Sequence, residues 1–285
     1  ANLNNAAYQA MAGRKGVVAL YNYQTGEVLC MLSTPSFDPA DDAEVAKVAA
    51  GDSNYDGAYL NRFLSGTYTP GSTFKLVTSA AALETLHNEN SFSYTCKGSL
   101  TLNGEKITCP SVHGTQDFAT ALANSCNGAF ATLATQVGGK TLEKYAQEAG
   151  LTSTVNVNGL NSAAGNFTAG TSDNDVGWSG VGQYKDLVNP CAELTLMGCI
   201  AQGGSAATPR LLKSVTSSKG LPVAHVTTET SQIGWKTDTC DKIRTMMHNN
   251  VTSNYSKNLD FGGLNVCAKS GTAEVGASKP HAWLN

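Results

Sequence analysis

The chain has 285 residues, 41% of them hydrophobic, enough to bury the core of one large domain. A formal net charge of −3 with only 14% charged residues leaves no basic footprint for nucleic acid. No apolar run approaches the roughly 18 residues that a membrane span needs, and residues 1–30 lack a signal-peptide pattern, so the chain reads as a soluble piece whose parent is free to carry an anchor elsewhere.

Asn2 to Met11 has helical spacing. Gly16 to Tyr23 and Val28 to Ser33 then read as two strands around Gln24-Thr25-Gly26, a hairpin that supplies the first two strands of a sheet. Pro35 to Pro39 ends it, and an acidic, Ala-rich stretch to Tyr59 covers a helix and a loop. Arg62 is placed to brace the loop that follows. In Thr69-Pro70-Gly71-Ser72-Thr73-Phe74-Lys75 the chain breaks at Pro70-Gly71 and opens a helix through Leu86, with Ser72 in the first turn and Lys75 one turn on, on the same face. A serine hydroxyl is a poor nucleophile until a base removes its proton, and lysine becomes such a base when burial or a second cation lowers its pKa. The start of the helix also offers free N–H groups where an oxyanion would form. Taken alone, Ser-x-x-Lys is more simply a helix cap beside a solvated charge.

Cys96 and Cys109 bracket Lys97 to Thr108, where Asn103-Gly104 marks a tight hairpin; its arms would bring the two thiols face to face, ready for a disulfide or left reduced. A zinc site from Cys96, Cys109 and His113 lacks paired, close-spaced ligands. Neither a metal nor a cofactor is expected. Cys191 and Cys199 fall on one predicted helix, roughly 12 Å apart along its axis, too far to bridge.

Asp117 caps a predicted helix through Leu122, and Gly128 to Val137 and Leu142 to Ala149 continue as helices separated by Gly138-Gly139, so that roughly residues 76–202 form a helical subdomain. Ser125-Cys126-Asn127 lies at a break between apolar helices. Ser172-Asp173-Asn174 and Ser256-Lys257-Asn258 share its Ser-x-Asn pattern, but both lie in polar stretches, and catalytic groups need rigid support, so Ser125 is preferred. Gly138-Gly139-Lys140-Thr141 resembles the end of a phosphate-binding loop, whose first glycine would fall at Ala134; that reading is rejected. Asn189-Pro190 starts a core helix through Ala201. Pro209 to Ser217 and Pro222 to Thr227 read as short strands, Asp238 to Val251 as a helix, and Val266 to Thr272 as the last clear strand, with Lys269 near its exit. The fold class is α/β (α+β), a central, mainly antiparallel sheet flanked by helices, with an all-helical subdomain.

Ser72-x-x-Lys75, Ser125-x-Asn127 and Lys269-Ser270-Gly271, in this order, are the signature set of penicillin-binding proteins and class A β-lactamases. The chain resembles the transpeptidase domain of a penicillin-binding protein, most of all a class B, monofunctional one. The resemblance extends over Gly16 to Pro39, Pro70 to Lys75, His113-Gly114, Ser125 to Asn127, Gly182-Gln183, Ala201 to Gly204, Lys269 to Glu274 and His281-Ala282-Trp283. Departures are Gln202, where members often have Asn, and Leu284, where they often have Phe.

The resemblance implies that Ser72 attacks the penultimate D-alanine carbonyl of a peptidoglycan stem peptide and that a neighbouring stem's amine resolves the acyl-enzyme. Lys75 would be the base, Ser125 the proton relay, and Asn127 the holder of Lys75 and the substrate amide. Lys269 would lower the Lys75 pKa. The N–H groups of Ser72 and Thr272 would form the oxyanion hole, with Lys269, Ser270 and Thr272 receiving the substrate carboxylate across Gly271. β-Lactams would acylate Ser72. The implied parent is membrane-anchored on the extracytoplasmic face and partnered with a glycosyltransferase. Family members carry a further strand and a C-terminal helix after His-Ala-Trp, so the chain, ending at Asn285, is expected to be a fragment of the whole domain. The competing readings are a β-lactamase, for which no deacylating glutamate can be placed, and a sensor or divisome scaffold that keeps the nucleophile.

Overall fold

The structure, a computed structural model, describes residues 2–224, 226–257, 259–276 and 278–285. Helix α1 (Asn2–Met11) lies against the hairpin of β1 (Gly16–Tyr21) and β2 (Val28–Thr34), an antiparallel pair that runs from Gly16 opposite Thr34 to Tyr21 opposite Val28. The Asn22 carboxamide oxygen accepts from the Gln24 and Thr25 amides, which closes the turn. Helix α2 (Asp42–Ala49) begins on Asp41, whose carboxylate takes the Ala43 and Glu44 amides. Arg62 donates to the Gly57 carbonyl at 2.9 Å, so it braces the preceding loop and not the serine stretch.

One 3-10 turn over Gly71–Phe74 leads into α3 (Lys75–Thr85). Every residue from Lys75 to Leu83 is buried, so this helix has no solvent face and sits at the centre of the core. An arm of short strands follows: β3 (Tyr94–Cys96), then β4 (Ser99–Leu102) and β5 (Glu105–Thr108), then β6 (Gly114–Gln116). β3 pairs with β6 and β4 with β5, the second pair turning on Asn103-Gly104 with both φ values positive (50° and 83°), as the sequence predicts. All eight thiols are free. Cys96 ends a strand paired to β6 and Cys109 follows one paired to β4, so the two sulfurs approach from different ladders and form no disulfide.

Helices α4 (Phe118–Ala123), α5 (Asn127–Val137), α6 (Gly139–Glu148), α7 (Asp173–Gly180) and α8 (Pro190–Ala201) follow, with the small pair β7 (Asn156–Val157) and β8 (Leu160–Asn161) between α6 and α7 in the chain; α5, α6 and α7 pack against α3. Leu76, Leu122, Phe130, Leu133, Leu142 and Leu196 are at most 1% exposed. Each such side chain contributes about 1.5–3 kcal/mol on leaving water. Asn189 caps α8 through the Cys191 and Ala192 amides and donates to the Leu64 and Gly66 carbonyls, tying that helix to the chain before Ser72.

The remaining strands are β9 (Ser205–Ala207), β10 (Val215–Thr216), β11 (Pro222–Ala224) and β12 (Thr230–Gln232), followed by helix α9 (Thr237–Asn250) and the antiparallel pair β13 (Ser270–Val275) and β14 (Ser278–Leu284). The strand predicted from Pro209 survives only as β10, because the Arg210 backbone is taken by Gly26 and Val28 and the Leu211 and Leu212 amides by the Asn158 side chain. The last predicted strand starts later than its sequence suggests. Ala268 bonds to Met247 and to the Asn250 side chain, so Lys269 stands just ahead of β13 and not near its exit. The seven ladders among the described residues are each two-stranded and antiparallel.

Candidate active site

Three backbone segments meet at Ser72 with glycines at their contacts. Gly71 has φ of 55°, and a Cβ there would overlap the Thr272 carbonyl; one on Gly182 would overlap the Gly71 carbonyl, and one on Gly271 would lie 2.6 Å from the Pro70 carbonyl. The absence of side chains lets β13 and the turn at Gly182 lie directly on the serine turn. Trp283 on β14 donates to the Thr69 carbonyl at 2.9 Å and closes the far side.

Lys75 Nζ lies 3.0 Å from Ser72 Oγ, 2.6 Å from the Ser125 carbonyl, 3.2 Å from Ser125 Oγ and 2.7 Å from Asn127 Oδ1. Asn127 donates its own amide to the Thr108 carbonyl at 2.8 Å, which fixes the oxygen toward the lysine. Lys269 Nζ reaches Ser125 Oγ at 3.0 Å and the Ser270 carbonyl at 2.8 Å. Ser125 therefore bridges the two amines. Its φ of 51° lies in the left-handed region, a departure that costs a non-glycine residue about 1–2 kcal/mol and turns its hydroxyl and carbonyl into the same cluster.

Lys75 is fully buried and Lys269 1% exposed, and among the described residues neither is in an ion pair. Burial, and then the positive charge of Lys269, hold Lys75 well below the ordinary lysine value. Burial lowers Lys269 to about 8. The β13–β14 register adds a donor. The amide and carbonyl of Lys269 both pair with Asn285, so bonded pairs recur at Gly271 and Ala273, and the Thr272 N–H points out of the ladder toward the serine turn.

The sequence-predicted residues thus converge: Ser72, Lys75, Ser125, Asn127 and Lys269 form one hydrogen-bonded group, with Ser270, Gly271 and Thr272 along its edge. Ser172 does not join it. That residue caps α7 through the Asp175 amide, a role its Ser-x-x-Asp spacing could have disclosed. Of the other decoy, Asn258 lies outside the described residues. Sequence reasoning missed Tyr255, whose hydroxyl bonds Ser270 Oγ at 2.7 Å, and Asn254, which holds the Ala123 carbonyl ahead of Ser125. Gln183 falls within the family resemblance without a role that its sequence discloses; its side chain spans the Thr272 carbonyl and the Glu274 amide.

The sequence from 16 to 284 matches the family model of the penicillin binding protein transpeptidase domain. The chain belongs to this family. Among curated members, the peptidoglycan D,D-transpeptidase PbpA of Mycobacterium tuberculosis is 29% identical over 94% of the chain, and the stage V sporulation protein D of Bacillus subtilis is 29% identical over 91%. The chain spans 58% of the first and 40% of the second. The solved imipenem acyl-enzyme of penicillin-binding protein A from M. tuberculosis superimposes with a TM-score of 0.87 at 27% identity, covering 98% of this chain and 68% of that one. The mixed α/β architecture is that of a transpeptidase domain.

Proposed function

We propose that the chain is the catalytic part of a serine D,D-transpeptidase that crosslinks peptidoglycan stem peptides and is acylated by β-lactams at Ser72. The observation that carries this reading is the hydrogen bonding of Lys75. A neutral amine has two N–H donors and one lone pair. The Ser125 carbonyl and the Asn127 carboxamide oxygen, both obligate acceptors here, take the two donors and leave the lone pair for the Ser72 hydroxyl at 3.0 Å. In this reading Lys75 removes the Ser72 proton, the Ser72 and Thr272 amides stabilise the oxyanion, and the acyl-enzyme forms as the terminal D-alanine leaves. Ser125, bonded to both amines, returns a proton to the leaving nitrogen. Lys269 with Ser270 and Thr272 receives the substrate carboxylate, and an amine from a second stem then accepts the acyl group.

For its place in the cell, we propose an extracytoplasmic module of a membrane-anchored parent that works beside a glycosyltransferase, a reading that rests on the transpeptidase family to which the chain belongs. We read roughly residues 76–202 as one lobe of the domain, mostly helical but, unlike the all-helical subdomain the sequence suggests, carrying the short strands β3 to β8. Incubation with penicillin, followed by intact mass, tests the activity. The expected result is a long-lived adduct on Ser72 together with turnover of a D-Ala-D-Ala or thioester substrate. Rapid loss of the adduct with accumulation of hydrolysed drug would make the chain a β-lactamase, and a lasting adduct without turnover would make it a sensor.

A further inference from the structure

Three cysteines and a histidine gather at one point that the catalytic reading does not use. Cys96 at the end of β3, Cys109 just after β5, His113 just before β6 and Cys126 at the start of α5 each place a donor atom within 4.8 Å of all the others. The sequence offers three of these as a weak set; the fourth, Cys126, is the middle residue of Ser125-Cys126-Asn127 and comes to them only through folding. The remaining thiols, Cys30, Cys191, Cys199, Cys240 and Cys267, belong to no such group among the described residues. We propose that Cys96, Cys109, His113 and Cys126 form a closed, tetrahedral Zn2+ site that clamps the strand arm to the Ser125 turn.

The chemistry of the donors and their spacing argue for it. Three thiols and an imidazole are a structural-zinc donor set, too soft for magnesium or calcium. Zn–S bonds of about 2.3 Å place the corners of a tetrahedron about 3.8 Å apart, and Cys109 Sγ and Cys126 Sγ are separated by 3.8 Å. The Gly128 amide at the start of α5 donates to Cys109 Sγ at 3.2 Å and the Gly98 amide approaches Cys96 Sγ at 3.5 Å, the backbone N–H contacts that metal-bound sulfurs accept. A separate observation concerns His113: its Nδ1 is shut off from solvent and has no hydrogen-bond partner. A ring nitrogen so placed is costly, and ligation of the imidazole gives that side chain a reason to stay. With four protein donors no position is left for water, so the metal would hold structure and not react. Its effect on the site would run through Cys126, which sits between the relay serine and the residue that orients Lys75.

Metal occupancy does not depend on the transpeptidase reading, whereas the effect on acylation does. The full chain, reduced and freed of metal with a chelator, is titrated with Co2+ and then Zn2+. One equivalent of cobalt is expected to give thiolate charge-transfer and intense tetrahedral visible bands, displaced by zinc, with native mass showing one metal per chain. Cys109→Ser and His113→Ala should weaken binding by roughly 10–100-fold or more. In the wild-type chain the cobalt bands should shift when penicillin acylates Ser72, and acylation should slow on metal removal and recover with zinc. The wild-type titration needs no variant to fold. Absence of the tetrahedral bands in the reduced wild-type chain, binding unchanged in Cys109→Ser, or a Cys109–Cys126 disulfide that persists with zinc present and no metal bound would each overturn the proposal. Bands that appear but ignore acylation would overturn its link to the Ser125 turn.

Discussion

Lys75 and Lys242 show what surroundings do to one side chain. Lys242 on α9 is 41% exposed and lies 2.7 Å from Glu89 and 3.0 Å from Asp238; hydrogen bonds to those carboxylates raise its pKa. Lys75 is fully buried among hydroxyl, carbonyl and carboxamide oxygens with a second lysine nearby, and its pKa falls. Carboxylates keep a lysine charged; neutral acceptors in a dry site release its proton and leave a base. The candidate site is therefore marked less by its lysines than by their having no carboxylate partner among the described residues.

The largest expected effect tests Ser72 as the proposed nucleophile. Ser72→Ala should abolish penicillin labelling by intact mass, while the fold survives because loss of a first-turn serine costs only about 0.5–2 kcal/mol; labelling at another residue would remove Ser72 from its role. Next comes the comparison itself. Lys75→Met should bring acylation close to the rate of Ser72→Ala, whereas Lys242→Met should leave it unchanged and lower stability by about 0.2–1 kcal/mol in urea unfolding. Equal kinetics in the two variants would erase the distinction.

Two Ser-x-Asn serines sharpen it further. Ser125→Ala should slow acylation strongly, since it bridges both amines. Ser172→Ala should act on stability alone through its lost cap, by about 0.5–2 kcal/mol, and stopped-flow labelling of both variants separates them. A smaller effect follows from pH. Acylation should rise as Lys75 loses its proton and fall above pH of about 8 as Lys269 loses its charge. Lys269→Arg should remove the alkaline limb. For stability the sign is opposite: between pH of about 8 and about 10.4 the unfolded chain keeps a proton on Lys269 that the folded chain has released, so the wild type should gain stability there relative to Lys269→Arg. The smallest change is Tyr255→Phe, expected to weaken substrate binding by a few-fold through Ser270 with little change in kcat.

Local spacing made much of this legible. Ser72 and Lys75 share one turn, Asn189-Pro190 is a cap followed by a proline, and α1 and α8 start where their patterns begin. Ser125 was recoverable because apolar helices flank it. Features that depend on contacts between distant segments were not. Nothing in the polar run around Tyr255 predicts its bond to Ser270, since that run follows a helix as a π-helical turn, and nothing near Cys126 announces Cys96, thirty residues earlier. The late start of β13 has the same origin: Ala268 finds partners on α9 that its own β-like sequence does not encode.

The glycine contacts around the serine turn bear on how such a chain can change over generations. A variant that escapes a covalent drug by adding bulk beside the nucleophile cannot place it at positions 71, 182 or 271, because the obstacle at each is backbone and cannot rotate away. The most direct wall against a bulky inhibitor is thus closed to natural variation. Selection has to work at the rim, on side chains such as Tyr255, whose hydroxyl touches the site only through Ser270.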